Sequence, residues 1–196
     1  MKKLRLAFSP CPNDTFMFDA MIHSKIDTEG LQFEPILEDV ETLNRNAQAG
    51  EIEITKLSFF AFTKVAKKYQ LLSSGSALGL GVGPLFISRK KFSDPNKEIK
   101  SIAIPGKNTT AYFLFRTFFP ELTNVEEIVF SDIEKAILEA KVDAGVIIHE
   151  NRFTYESRGL VKIADLGELW EKKTQLPIHL EELPFAEIFL LISRIK

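Results

Sequence analysis

The chain has 196 residues and a formal net charge of -2, and 45% of its residues are hydrophobic. This composition is typical of a soluble globular protein, with enough chain for one large domain or two small ones. The lysines and arginines form no basic block, which argues against nucleic acid or a membrane surface as the partner. The chain has a single cysteine, Cys11, which excludes an internal disulfide and predicts a cytoplasmic location.

The first half of the chain predicts strands that alternate with helices. Apolar residues at every second position predict a first strand over residues 3–8. Asn13 or Asp14 is the predicted N-cap of the first helix, and Asp39 is that of the second, which Gly50 ends. The further predicted strands and the helices that follow are strands 31–37 and 51–58 and helices 15–25, 40–50 and 59–68.

The pattern restarts after a polar segment with a proline, residues 95–101. Strands are predicted at 101–106, 127–132, 142–148 and 159–167, with helices at 108–119, 133–141 and 168–174. The alternation predicts an α/β fold with mainly parallel sheets. The restart predicts two lobes, with residues 1–88 in the N-terminal part of lobe 1, 89–178 in lobe 2 and 179–196 in an atypical C-terminal segment.

Loops between strands and helices are the first candidates for a binding site, because ligands of open α/β sheets bind beyond the carboxyl ends of strands. The turn "PGKNTT" places the hydroxyls of Thr109 and Thr110 at the start of a helix, where a carboxylate or a phosphate can be bound. The alternative is that these residues only cap the helix. For the first loop, "SPCPND", the alternatives are a cleft wall and a turn with a helix cap.

His149 follows an apolar strand directly, in the loop "HENRFTY". A histidine there can act as a general base, since its free pKa is about 6.5, or can merely pack against the loop. Cys11 has no histidine beside it in sequence, and a buried, inert cysteine is commoner than a nucleophile. The glycines of "GLGVGP" lack the spacing of a dinucleotide-binding motif, and no metal-ligand spacing occurs, so neither a nucleotide cofactor nor a metal is predicted.

Several of these motifs in the same order resemble one enzyme family. "SPCPNDTF", "TKLSFFAF", "GLGVGPL", "IAIPGKNTTAYFL", "VDAGVIIHENRFTY" and "DLGELWEKKTQLPI" are similar to segments of 1,4-dihydroxy-6-naphthoate synthase, an enzyme of the futalosine route to menaquinone. The resemblance runs from the start of the chain to about Ile178. It implies a fold like that of type II periplasmic binding proteins, with a cleft between two lobes.

The resemblance also implies an activity and the residues that carry it. The family converts cyclic dehypoxanthinyl futalosine, a carboxylated, sugar-derived small molecule, into 1,4-dihydroxy-6-naphthoate, and no cofactor or metal is implied. The proton acceptor of the family falls on His149. The implied substrate contacts are Thr55, Lys56, Leu57, Ser58, Thr109 and Thr110, and the first loop adds Ser9, Asn13 and Asp14.

The sequence departs from the family pattern at its end, "HLEELPFAEIFLLISRIK". The expectation is that the C-terminal part of lobe 1 is missing, which would uncover apolar surface and favour a homo-oligomer. One alternative function is therefore an inactive, truncated copy. Another is a solute-binding protein of the same fold for small anions, although "MKKLRLAFSPCPND" has too short an apolar run for an export signal. Chorismate dehydratase, of the same fold and route, is the rival enzyme.

Overall fold

The structure of the protein, a computed structural model, describes residues 3–75, 77–180 and 189–193. These residues form two compact units. The first contains the described residues up to Leu78, Leu180 and a strand at Phe189–Ser193, and the second contains residues 79–179. The chain thus has the two lobes expected from its sequence.

The first unit contains a five-stranded sheet with strand order β2-β1-β3-β12-β4. Its elements are β1 Lys3–Phe8, α1 Pro12–Ile22, β2 Gln32–Leu37, α2 Val40–Ala49, β3 Ile54–Thr55, α3 Phe59–Val65, β4 Tyr69–Gly75 and β12 Phe189–Ser193. Strand β1 pairs in parallel with β2 and with β3, whereas β12 is antiparallel to β3 and β4. The carboxyl ends of β1, β2 and β3 therefore lie at one edge of the sheet.

The first helix begins one turn earlier than its sequence predicts. Its N-cap is Cys11, whose Sγ accepts a hydrogen bond from the Asp14 amide at 3.4 Å, and Pro12 occupies the first helical position. Neither Asn13 nor Asp14 is the cap, so that prediction was wrong. The physical reason is that the Asp14 carboxylate is already used, because it pairs with Lys56 and accepts from the Ser9 amide.

Packing fixes α1 on the sheet. The Phe18 side chain is buried and its ring lies 4.7 Å from that of Phe8 on β1. Burying such a side chain contributes about 1.5–3 kcal/mol. The second helix has the predicted ends, since Asp39 accepts from the amides of Glu41 and Thr42, and Gly50 ends it in the left-handed conformation at φ 80°.

The second unit contains a mixed sheet with strand order β10-β6-β9-β7-β8. Its elements are β6 Leu85–Ser88, α4 Pro95–Glu98, β7 Ile102–Ile104, α5 Thr110–Phe118, β8 Val125–Glu127, α6 Ile133–Leu138, β9 Ala144–Ile147, α7 Asn151–Thr154, β10 Val161–Asp165 and α8 Leu166–Thr174. Strand β7 is parallel to β8 and β9, but β6 is antiparallel to β9 and β10. The short strands β5 Ala77–Gly79 and β11 Ile178–Leu180 form a separate two-stranded sheet.

Two details of the second unit differ from the sequence expectation. The strand predicted at 127–132 is found earlier, because its partner β7 ends at Ile104 and Pro105 offers no amide to continue the ladder. A 3₁₀ turn, Phe130–Asp132, then leads into α6. In addition, β6 lies inside the sheet of the second unit, whereas the sequence placed residues up to 88 with the first lobe.

Each unit has its own buried apolar side chains. In the second unit they come from the sheet and from α6, and they include Leu85, Ile87, Ile133, Ile137 and Ile147. Within the residues that the structure describes, every helix is too short or too polar to cross a bilayer.

Candidate functional site

The second unit brings two of the predicted site loops to one edge of its sheet. Strands β7 and β9 are adjacent and parallel, with Ile102 opposite Ala144, so their carboxyl ends lie side by side. From β7 the chain runs through α5 to β8 on one side, and from β9 it runs through α7 to β10 on the other. Such a reversal is the topological switch point at which open α/β sheets bind ligands.

Thr109 and Thr110 lie in the loop after β7. The Thr109 hydroxyl donates to the Gly106 carbonyl at 2.7 Å and accepts from the Tyr112 amide at 3.1 Å, so Thr109 is the N-cap of α5. Gly106 has φ 151°, in the region that favours glycine. Thr110 is the first helical residue and is largely buried. Thr109 therefore caps the helix, and the positive end of the helix dipole lies at the same turn.

His149 lies in the loop after β9, in a left-handed backbone conformation with φ 60°. This conformation costs a residue with a Cβ about 1–2 kcal/mol. His149 is half-buried as a residue, but both of its ring nitrogens are buried, and its ring meets the Phe130 ring edge to face, with ring centroids 4.5 Å apart. Residues held in unfavourable backbone regions cluster at functional sites, so the observation favours the functional interpretation of His149.

Arg152 is a residue of this edge that sequence reasoning missed. It lies in α7, three residues after His149, and its amide donates to the His149 carbonyl at 3.3 Å. Its guanidinium donates to the Gly83 carbonyl at 2.5 Å and to the Asp165 carboxylate at 2.7 Å. The sequence shows an arginine in the histidine loop, which was the one signal for this residue. Its partners could not be predicted, because they are 69 and 13 residues away in sequence.

Close packing explains why the second glycine of "GVGP", Gly83, has no side chain. A Cβ on Gly83 would lie 2.6 Å from the Gly167 Cα, closer than real side chains approach backbone. The glycine thus allows the segment before β6 to pass directly over the start of α8.

The first unit has its own switch point between β1 and β3, since β1 leads to β2 on one side and β3 leads to β4 on the other. Here Lys56 and Asp14 form an ion pair in which each side chain is only 1% exposed. The Asp14 carboxylate also accepts from the Ser9 amide at 3.0 Å, and the Ser9 hydroxyl accepts from the Cys11 amide at 3.3 Å. Three of the predicted residues, Ser9, Asp14 and Lys56, are thereby brought together.

Asn44 of α2 joins the same edge and was missed from sequence. Its Oδ1 accepts from the Ser58 amide at 2.9 Å and its Nδ2 donates to the Ser58 hydroxyl at 3.2 Å. Asn44 is fully buried, as is Ser58. A polar residue on the buried face of an amphipathic helix was the signal that could have identified it.

The remaining predicted residues of the first unit have different surroundings. Thr55 is buried, and its hydroxyl donates to the Lys56 carbonyl at 2.8 Å. The Leu57 side chain packs in a hydrophobic cluster with Ala61 and Val65. Asn13 is half-buried on the first turn of α1. Hydroxyl, amide and ammonium groups thus surround this switch point, but several of them already form hydrogen bonds or ion pairs with other groups of the protein.

Cys11 is buried, and burial raises the pKa of its thiol, as does the Asp14 carboxylate nearby. A raised pKa lowers the fraction of nucleophilic thiolate. The arrangement favours an inert Cys11 over a nucleophile, and the structure adds that its sulfur caps α1. Within the described ranges, no group of three or more histidine, cysteine, aspartate or glutamate side chains is placed to hold a metal ion.

Two α/β units, each with a topological switch point in its sheet, define a class, the periplasmic-binding-protein-like fold. The chain aligns with the alkanesulfonate-binding protein SsuA of Xanthomonas axonopodis with a TM-score of 0.67 at 13% identity, over 98% of this chain and 65% of that one. A protein of Archaeoglobus fulgidus, AF1704, aligns with a TM-score of 0.87 at 37% identity, over 99% and 69%.

The family follows from the sequence comparisons. A family model described as menaquinone biosynthesis matches residues 4–182, and the chain belongs to this family. It is 46% identical to a 1,4-dihydroxy-6-naphthoate synthase of Thermus thermophilus and 41% identical to one of Streptomyces coelicolor, over 92% and 90% of this chain. These matches confirm the resemblance seen in the motifs. The chain spans 65% and 64% of the lengths of these two relatives.

Proposed function

We propose that the protein is a carbon–carbon lyase of menaquinone biosynthesis that converts cyclic dehypoxanthinyl futalosine into 1,4-dihydroxy-6-naphthoate. Two relatives above 40% identity carry the name of that enzyme. The observation that carries the proposal is the position of His149 and of the Thr109–Thr110 turn on the two loops of one topological switch point. A base and an anion-binding helix start are the two groups that the reaction needs.

His149 is the proposed general base. The substrate must lose a proton before the carbon–carbon bond cleaves and the ring becomes aromatic, and a neutral imidazole can accept that proton near neutral pH. The left-handed backbone at His149 supports this role, since a strained residue is retained where its position matters.

The aromatic carboxylate of the substrate is proposed to bind at the start of α5. This helix has nine residues, and the dipole at its N-terminus favours a negative charge beside Thr109 and Thr110. Thr109 holds the turn through its capping bonds, so removal of its hydroxyl would disturb the turn as well as any direct contact.

The first unit is proposed to contribute the remaining substrate contacts. Ser58 is held by Asn44, and Thr55 lies beside Lys56. Ser9 and Asp14 belong to the same network, in which the buried Lys56–Asp14 pair holds the loops after β1 and β3 together. Asn13 is the contact of this loop that is half-exposed. For Leu57 the backbone is the proposed contact, because its side chain is buried in the core.

The test is turnover of cyclic dehypoxanthinyl futalosine by the purified protein, followed by chromatographic detection of 1,4-dihydroxy-6-naphthoate. The His149→Asn variant is expected to lower kcat by about 10²–10⁴-fold, the usual contribution of a general base. His23→Asn is the matched control, since His23 is exposed and pairs with Asp19 on the surface of α1. Absence of product from folded wild-type protein would refute the lyase and favour a solute-binding protein or an inactive copy.

A further inference from the structure

We propose that Arg152 is a positioning residue for His149, which acts by holding the loop that carries the imidazole. This inference rests on the proposed function of His149 as the base. It names a residue that the motifs did not single out, and all of its partners lie in the second unit.

The guanidinium of Arg152 connects three parts of that unit. Nη1 donates to the Gly83 carbonyl at 2.5 Å, and Nη2 donates to the Asp165 carboxylate at 2.7 Å and approaches the Gly81 carbonyl at 3.4 Å. Asp165 is itself held, because its other oxygen caps α8 by accepting from the amides of Gly167 and Glu168 at 2.9 and 3.1 Å. Arg152 is thus fixed to a rigid helix start.

The loop that Arg152 holds has little stability of its own. Helix α7 has only four residues, Asn151–Thr154, and a single turn is unstable in isolation. Phe153 within it is 67% exposed, so that side chain buries little apolar surface. The strained backbone of His149 is separated from this turn only by Glu150, its N-cap. A strained residue next to a marginal turn keeps its conformation only when other contacts impose it.

The geometry favours positioning over direct substrate contact. Both Nη atoms of Arg152 are used on acceptors of the protein itself, and the side chain is 16% exposed. The Arg152 amide donates to the His149 carbonyl at 3.3 Å. When the guanidinium fixes the Arg152 side chain, this backbone hydrogen bond therefore also restrains the position of His149. A displacement of about 1 Å in a catalytic group can lower the rate by about 100-fold.

The experiment compares Arg152→Gln and Arg152→Lys with a matched control, Arg158→Gln. Arg158 also pairs with a buried carboxylate, that of Glu134, but its contact lies on α6 and not on the histidine loop. Two quantities are measured for each variant, namely kcat and KM with cyclic dehypoxanthinyl futalosine, and the ¹³Cε1–¹H resonances of the histidines. The chain has three histidines, so three resonances are expected, and His149→Asn assigns the relevant one.

For Arg152→Gln we expect kcat to fall by about 10–100-fold while KM changes by less than about threefold, and the His149 resonance to shift or broaden. Arg152→Lys is expected to recover part of kcat, because an ammonium can retain the Asp165 pair but not also the hydrogen bond to the Gly83 carbonyl. Arg158→Gln should leave both kcat and the His149 resonance unchanged.

Three results would overturn the positioning role. These are an unchanged kcat in Arg152→Gln, a rise in KM with kcat retained, and an equal loss of kcat in Arg158→Gln. If the wild-type protein itself gives no product, the lyase proposal fails independently of the positioning role. In that case the His149 resonance alone tests whether Arg152 positions His149. An unchanged resonance in Arg152→Gln refutes the inference, and a shift confined to His149 supports it.

Discussion

Replacing Lys56 by methionine removes one partner of a buried ion pair and tests whether that pair holds the switch point of the first unit. The side chains of Lys56 and Asp14 are each 1% exposed, so the Asp14 carboxylate would be left buried without its cation. Breaking such a pair costs about 3–5 kcal/mol, a large part of the 5–15 kcal/mol by which typical domains are stable. Asp14 would retain the hydrogen bond from the Ser9 amide, which favours the lower end, about 3 kcal/mol.

The assay is urea unfolding followed by circular dichroism, with hydrogen exchange of strand β1 as a local probe of the first unit. Lys56→Met combined with Asp14→Asn should recover most of the loss, since the amide oxygen of asparagine can still accept from Ser9 and no charge stays buried. The matched control is Lys25→Met, which breaks an exposed pair with Asp19 and should cost far less than Lys56→Met, because solvent screens exposed charges. A Lys56→Met loss no larger than that of the control would refute the reasoning.

Two further perturbations follow from the same geometry. Glu53 accepts two hydrogen bonds from the Arg5 guanidinium, at 2.8 and 2.9 Å, and this lowers its pKa from 4.5 to about 2. The pair stabilises the fold above pH 4.5, and its contribution is lost as the pH falls through about 2, so Arg5→Gln should lower Tm at neutral pH and match the wild type near pH 2. A constant difference in Tm across that range would contradict this. Gly83→Ala should lower the free energy of unfolding in urea by about 2–3 kcal/mol, because its Cβ would lie 2.6 Å from the Gly167 Cα. The control Gly159→Ala has open space around it and should cost only the strain of its positive φ, about 1 kcal/mol. Equal losses in the two variants would refute the packing role of Gly83.

Features encoded by neighbouring residues were predictable from the sequence. Asp39 caps the start of α2 and Gly50 ends it, both through contacts within a few residues, and both predictions are confirmed. Thr109 caps α5 in the same local way. Periodicity also identified the strand that precedes His149, so the histidine was placed correctly in the loop after a buried strand.

Features that depend on distant partners were not predictable in this way. Asp14 was predicted to cap a helix, but its partner Lys56 is 42 residues away and takes its carboxylate. Arg152 has partners 69 and 13 residues away in sequence, and no local pattern marks them. The strand predicted at 127–132 was misplaced because its limits are set by the neighbouring strand β7 and by Pro105, which only the sheet order reveals.

The two switch points explain why the loops chosen by local signals lie together at one edge of each sheet. In each sheet, the strands on either side of the reversal send their loops to the same edge, β1 and β3 in the first unit and β7 and β9 in the second. The residues predicted from the sequence lie in or beside those four loops, because loops that follow strands were the first candidates and the resemblance to the enzyme family assigned most of the individual residues. What a one-dimensional pattern lacks is the set of groups that hold such loops in place, namely Lys56 with Asp14 in one unit and Arg152 with Asp165 in the other. The choice of loop is therefore a local property of the sequence, and its rigidity is a property of the fold.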